Sequence, residues 1–290
     1  MKIIVTGARG LVGTRFLANY RDKYDIVTLG SSHEQRVDIT DREALLTALK
    51  EHSDAQALIH LAAYTNVNGA FEQTGDKSGA AWQVNVTGTE NIAEACREFG
   101  FYLIHVSTAF VFDGQKKTPY VEDDQPHPIE WYGQTKYEAE KIVTTSGAKS
   151  VILRIDQPFT HVPSAKVDTL WRVINGLRAG QLYPQFTNHY FGPTYIEDLT
   201  RIFDFCLRQQ PTGLYHASSG ETWSDYDFAC SVRDILHLKT DVAPGDLEAY
   251  LRTTKRPYQR QTALNIDHLQ KIIDFKLRTI REAISQVQLA

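Results

Sequence analysis

The feature that most constrains the fold stands at the amino end, where Lys2-Ile3-Ile4-Val5-Thr6 runs into Gly7-Ala8-Arg9-Gly10-Leu11-Val12-Gly13. A short β-branched run that meets a glycine turn, followed by an amphipathic stretch through about Tyr20, predicts strand, tight turn and helix. Gly7 permits the turn, and Gly10 lets backbone N–H groups approach a pyrophosphate. Gly13 lets the helix pack closely on the strand, while the helix N-terminus, with Leu11 and Val12, favours the anion. The spacing is GxxGxxG rather than GxGxxG. A bound dinucleotide is the expectation; the alternative is a turn that only shapes the chain.

Residues 24–29 read as a second strand. Beyond it stand Gly30, Ser31, Ser32 and His33, with no carboxylate where a site that prefers NAD holds the ribose 2′-hydroxyl. Ser31 leaves room there, and Arg9 and Arg36 can each meet a 2′-phosphate, so NADPH is the expected cofactor, with NADH left open. Asp38, beside Ile39, is placed to accept from an adenine amino group. The other role for Asp38, or for Thr40, is to cap a helix over residues 41–51. A third strand over 57–61 ends in Ala62, Ala63 and Tyr64, and small residues at that edge let a cofactor lie against the backbone.

A helical pattern over 80–99 follows, with Asn85 near its start. A fourth strand over 101–106 then delivers Ser107 and Thr108 to the same edge, where a hydroxyl can hold a carbonyl oxygen or cap a turn. Residues 151–155 read as a fifth strand. The fold class expected is therefore α/β: a Rossmann-type doubly wound parallel sheet over 1–155, with a smaller mixed α/β substrate lobe over 156–290. Residues 191–196 are expected to return a strand to the sheet. Tyr183, Tyr190, Phe191, Trp223 and Tyr258 either stack on a base or sugar or belong to the core.

The chemistry is expected at Tyr132-Gly133-Gln134-Thr135-Lys136, because a tyrosine and a lysine four apart on a helix share one face. A phenol with a pKa of about 10 is a poor acid at neutral pH unless a cation favours its ionised form. Lys136 is the candidate cation. The plain alternative is a half-buried tyrosine, with Lys136 in a surface pair with Glu140.

A net charge of -4 gives no basic footprint for a nucleic acid polymer or an anionic membrane. No apolar run approaches the roughly 20 residues that span a bilayer. The three cysteines are scattered and the ten histidines lack an HExxH pattern, so neither a disulfide framework nor a metal site is expected, and a reducing cytoplasm fits best.

TGARGLVG, DITD, HLAAYT, NVTGT, STAFVFDG and YGQTK, in this order, resemble the extended short-chain dehydrogenase/reductase family. Within it the chain is most similar to the dTDP-4-dehydrorhamnose reductases, through the STxxVFxG and YGxTKxxxE patterns, Pro193-Thr194, the stretch from Gly213 to Ser218 and Arg256-Pro257. The resemblance implies an oxidoreductase of dTDP-rhamnose biosynthesis or a similar pathway, with a 4-keto sugar nucleotide as substrate and a homodimer left open. It implies that Thr108 orients the carbonyl, that Tyr132 gives the proton, and that Lys136 holds the ribose hydroxyls and lowers the phenol's pKa. Gly7, Gly10, Leu11, Val12, Asp38, Ile39, Ala62, Ala63, Tyr64 and Lys136 fall on cofactor positions.

Ala109 and Phe110 stand where the family's dehydratases have an acidic pair, so dehydration is not expected, whereas an epimerase is not excluded by this test. The chain departs from the reductases at Arg154-Ile155-Asp156-Gln157, where an aromatic is usual at the last position. A non-catalytic, NADP-binding subunit resembling the regulatory β subunit of methionine adenosyltransferase is the alternative of another class.

Overall fold

Lys2–Thr6 (β1), Asp25–Leu29 (β2), Ala57–His60 (β3), Tyr102–Thr108 (β4) and Ser150–Ile155 (β5) join Gly213–His216 in one six-stranded sheet. The computed structural model describes residues 1–30 and 36–289, so Ser31 lies outside the described residues. The sheet order is Gly213–His216, β5, β4, β3, β1, β2, and every neighbouring pair is parallel. Strand order reverses between β1 and β3, which opens a crevice at their carboxyl ends.

Each strand is apolar on both faces because helices cover both. Ile3, Val5, Ile59, Ile104 and Leu153 pack with Phe16 of the Leu11–Tyr20 helix and with Leu199, Ile202 and Phe203 of Ile196–Gln209. Ile4, Leu29, Leu58, Leu103 and Ile152 belong to a second core with Leu45, Leu49, Ile92 and Val143. Full burial of each such side chain contributes roughly 1.5–3 kcal/mol. A third core forms the second lobe, with Phe159, Trp171, Ile174, Phe191, Phe228 and Ile284 at its heart. Phe191 and Trp223 therefore pack in or against a core, while Tyr183 and Tyr190 are exposed.

Several expectations are corrected. Residues 191–196 do not reach the six-stranded sheet: Tyr190–Phe191 pairs with Trp223–Ser224, and Thr194–Tyr195 pairs with Pro158–Phe159 in a separate ladder. The strand that does return is Gly213–His216, parallel to β5, after the Ile196–Gln209 helix has crossed the sheet. The 80–99 helix is broken by a π turn at Gln83–Thr87, between Ala80–Trp82 and Gly88–Phe99. The helix after β2 spans Arg42–Lys50 and is capped by Asp41, which accepts from the Ala44 N–H; neither Asp38 nor Thr40 is its cap.

Candidate active site

One cleft of about 650 Å³ follows the carboxyl ends of the strands. One end is the glycine turn after β1, where Gly7 and Gly13 are sterically required. Gly7 has φ +67°, and a Cβ on it would lie 2.5 Å from the backbone of Leu61 and Ala62; one on Gly13 would lie 2.6 Å from Ala8. Gly10 precedes the first helix with no side-chain cap, so the helix's first amides are left for an anion. Arg9, Leu11, Val12, Asp38, Ile39, Ala62 and Ala63 line the same cleft. The residues present thus fit a dinucleotide, because a side chain on Gly7 or Gly13 would collide with the backbone of the turn's surroundings, and the first helix's amides stand uncapped beside the cleft.

Asp38 turns one carboxylate oxygen to the N–H and hydroxyl of Thr40, at 2.9 and 2.8 Å. Tyr64 is not among the residues that line the cleft. Its N–H donates to the Asn85 side chain at 2.8 Å, and its hydroxyl accepts from Gln73 at 3.2 Å, which turns the ring toward the Val67–Glu72 helix. Asn85, carried on the π turn, also donates to the Thr135 hydroxyl at 2.9 Å, and so links the exit of β3 to the first turn of the Trp131–Thr145 helix.

Thr108, Tyr132 and Lys136 line one stretch of the cleft wall. Thr108 ends β4, and Tyr132 stands in the first turn of the Trp131–Thr145 helix with its ring edge-on to Phe110, centroids 5.7 Å apart. Gly133 allows this seat: a Cβ there would lie 2.1 Å from the Phe110 carbonyl oxygen. Burial pushes the phenol up to about 12, with the charge of Glu130 adding to it and a hydrogen bond with the Thr108 hydroxyl opposing it.

The expectation that Lys136 lowers the phenol's pKa is not met in this structure. Lys136 is buried, its ammonium donates to the Val106 carbonyl at 2.8 Å, and burial draws its own pKa down to about 8 while Glu140 opposes the fall. The ammonium is thus held by β4, and the phenol's named partner is Thr108.

Nor does Glu140 pair with Lys136. It lies buried beneath the trio, where Arg154 of β5 grips it with two bonds of 2.9 and 2.6 Å and the Ser107 hydroxyl donates at 2.5 Å. This buried network fixes the Trp131–Thr145 helix to β4 and β5. The face shared by Tyr132, Lys136 and Glu140 was visible in their spacing of four, but the partner Arg154 was not. Glu130, which precedes the helix, was also missed. Its carboxylate accepts from Arg256 of the second lobe at 2.7 Å, and burial raises its pKa to about 7 against that pairing. Gln157, Lys166 and Asp168 complete the cleft on the second-lobe side.

The family model described as the RmlD substrate binding domain matches residues 1–289. The chain belongs to that family. Among its relatives is the dTDP-4-dehydrorhamnose reductase of Aggregatibacter actinomycetemcomitans, 31% identical over 247 residues that cover 80% of this chain and 78% of the relative. The methionine adenosyltransferase 2 subunit beta of Xenopus laevis is 26% identical over 93% of this chain and 82% of its own. The crystal structure of a dTDP-4-dehydrorhamnose reductase from Clostridium acetobutylicum superposes with a TM-score of 0.87 at 26% identity, over 99% of this chain and 98% of the other. The chain is thus similar to proteins named as reductases and to proteins named as a subunit, and it spans most of the length of each of these relatives. Among the described residues no helix is long and apolar enough to cross a membrane.

Proposed function

We propose that this chain is an NADPH-dependent reductase of a 4-keto sugar nucleotide. The observation that carries the reading is the single cleft that has the glycine turn at one end, Thr108, Tyr132 and Lys136 along its wall, and the second lobe at the other end. In this reading residues 1–155 hold the dinucleotide and residues 156–290 form the substrate lobe. NADPH, when bound, supplies the hydride. NADPH rather than NADH is favoured by Arg9 and Arg36 and by the absence of a carboxylate just after β2.

The Thr108 hydroxyl orients the substrate carbonyl oxygen. Tyr132, its phenol protonated at neutral pH, gives that oxygen its proton. Lys136, whose ammonium donates to the Val106 carbonyl, would hold the ribose hydroxyls of the cofactor. No carboxylate stands at 109 or 110 to assist loss of water, which supports net reduction over dehydration. A homodimer working in the cytoplasm belongs to the same proposal, and light scattering tests the dimer.

The deciding experiment is NADPH consumption with a panel of 4-keto sugar nucleotides, dTDP-4-dehydrorhamnose included. Turnover that Tyr132→Phe lowers by roughly 10²–10⁴-fold supports the reading; an undiminished rate in that variant overturns the mechanism. A second reading, a regulatory subunit that binds the dinucleotide without turnover, rests on the likeness to methionine adenosyltransferase 2 subunit beta. It gains if no keto sugar consumes cofactor while a partner copurifies.

A further inference from the structure

Gln157 is one of three non-glycine residues with positive φ among those described, at +35°. The other two, Gln210 and His237, stand at or just past helix ends, where a left-handed residue is ordinary. Gln157 ends no helix. It lies between β5 and the short strand Pro158–Phe159, and it precedes a proline, which pushes its backbone toward extended conformations. Such strain persists only where the surroundings enforce it, and it gathers at functional sites.

The enforcement is visible. Asp156 is buried, its carboxylate accepts from the Gly192 N–H at 2.8 Å and the Thr262 hydroxyl at 2.7 Å, and its backbone is bonded both ways to Thr194. The Gln157 side chain is oriented as well. Arg172 donates to the Thr169 hydroxyl at 3.0 Å, and that hydroxyl donates to the Oε1 of Gln157 at 2.9 Å. The Nε2 amine remains, without a partner among the described residues, on a side chain that lines the cleft.

Thr108 is the β-partner of Ile155, Gln157 stands two residues beyond Ile155, and Thr108 and Gln157 line the same cleft. We propose that Gln157 is a specificity-determining residue whose Nε2 donates to a sugar hydroxyl within two carbons of the reacting carbonyl, so that substrates keeping that hydroxyl are preferred over deoxygenated ones. The proposal rests on the sugar-nucleotide reading above and names the kind of sugar that reading requires. A ligand without the hydroxyl leaves the amine buried and unpaired, which costs affinity.

The test is calorimetric binding, independent of turnover, of dTDP-glucose against its 2-deoxy, 3-deoxy and 6-deoxy analogues, repeated with the UDP series. The full-length chain is expected to prefer the hydroxylated ligand of at least one pair by ~10-fold. Gln157→Gly removes the amide yet adopts positive φ freely, so it is expected to fold at least as stably and to bind both members of that pair alike. Gln157→Leu removes the amide while retaining the bulk and is expected to lose the same preference. Equal binding of every pair by the unaltered chain, or a preference that survives in Gln157→Gly, overturns the proposal and leaves the sugar-nucleotide reading standing. Failure of every sugar nucleotide to bind overturns both.

Discussion

The ammonium of Lys136 donates to the main-chain carbonyl of Val106 at 2.8 Å, so one hydrogen bond joins the helix that carries Tyr132 to the strand that carries Thr108. With burial holding its pKa near 8, this lysine is charged below that pH and loses its proton above it. The kcat/KM for reduction is therefore expected to be level up to about pH 8 and to fall as pH rises through it. Lys136→Met is expected to lower kcat/KM by roughly 10²–10⁴-fold and to abolish that limb. A profile of unchanged shape in the variant assigns the limb to another group.

Gly133→Ala places a methyl group 2.1 Å from the Phe110 carbonyl, a clash with backbone that no rotamer relieves. The helix must shift, and Tyr132 with it. Urea denaturation is expected to show a loss of about 1–3 kcal/mol, together with a fall in kcat larger than the change in KM.

Removal of Arg154 leaves the Glu140 carboxylate buried with the Ser107 hydroxyl as its remaining side-chain partner. Arg154→Met is expected to cost about 3–5 kcal/mol in chemical denaturation. The double variant Arg154→Met with Glu140→Gln is expected to recover part of that loss, since the uncompensated charge is gone. Equal stability of the two variants contradicts a charge-based account of the site.

Asp156 is held at about 7 by burial, well above its unfolded value, despite the bonds from Gly192 and Thr262. Between the unfolded value of about 3.9 and pH 7 the folded chain keeps a proton that the unfolded chain has released, so this group's contribution to stability declines as pH rises through that window. His60 and His216, pulled down to about 3 chiefly by burial, act in the opposite sense and weaken the fold as pH falls below about 6.5. Comparison with a variant isolates the acid: Asp156→Asn is expected to gain Tm relative to the unaltered chain as pH goes from 5 to 8. A constant difference in Tm across that range contradicts the assignment.

What could be read in the sequence was local. Gly7, Gly10 and Gly13 announce their turn by their spacing straight after a strand, and Tyr132 and Lys136 announce a helix face by spacing alone. Thr108 was legible because a strand buried along nearly its whole length delivers it to a known edge. The partners were not legible: Arg256 meets Glu130 across 126 positions, and no pattern around either residue names the other. The direction of Tyr64 depends on Asn85 and Gln73, and the π turn that aims Asn85 looks like ordinary helix in hydrophobic periodicity. The sixth strand was missed as the returning one because Phe191 and Tyr195 offer an equally apolar stretch, and only tertiary pairing chooses between them.

The edge strand Gly213–His216 has a consequence for biosynthesis and for dissection. A nascent chain that has reached residue 155 possesses five strands of its sheet, but β5 still presents a bare row of peptide groups, and the side later covered by Ile196–Gln209 is greasy and uncovered. Such an edge invites pairing with a second copy. An amino-terminal fragment cut at the lobe boundary should therefore clump, and the cofactor half can be studied alone only if its missing border is supplied in trans.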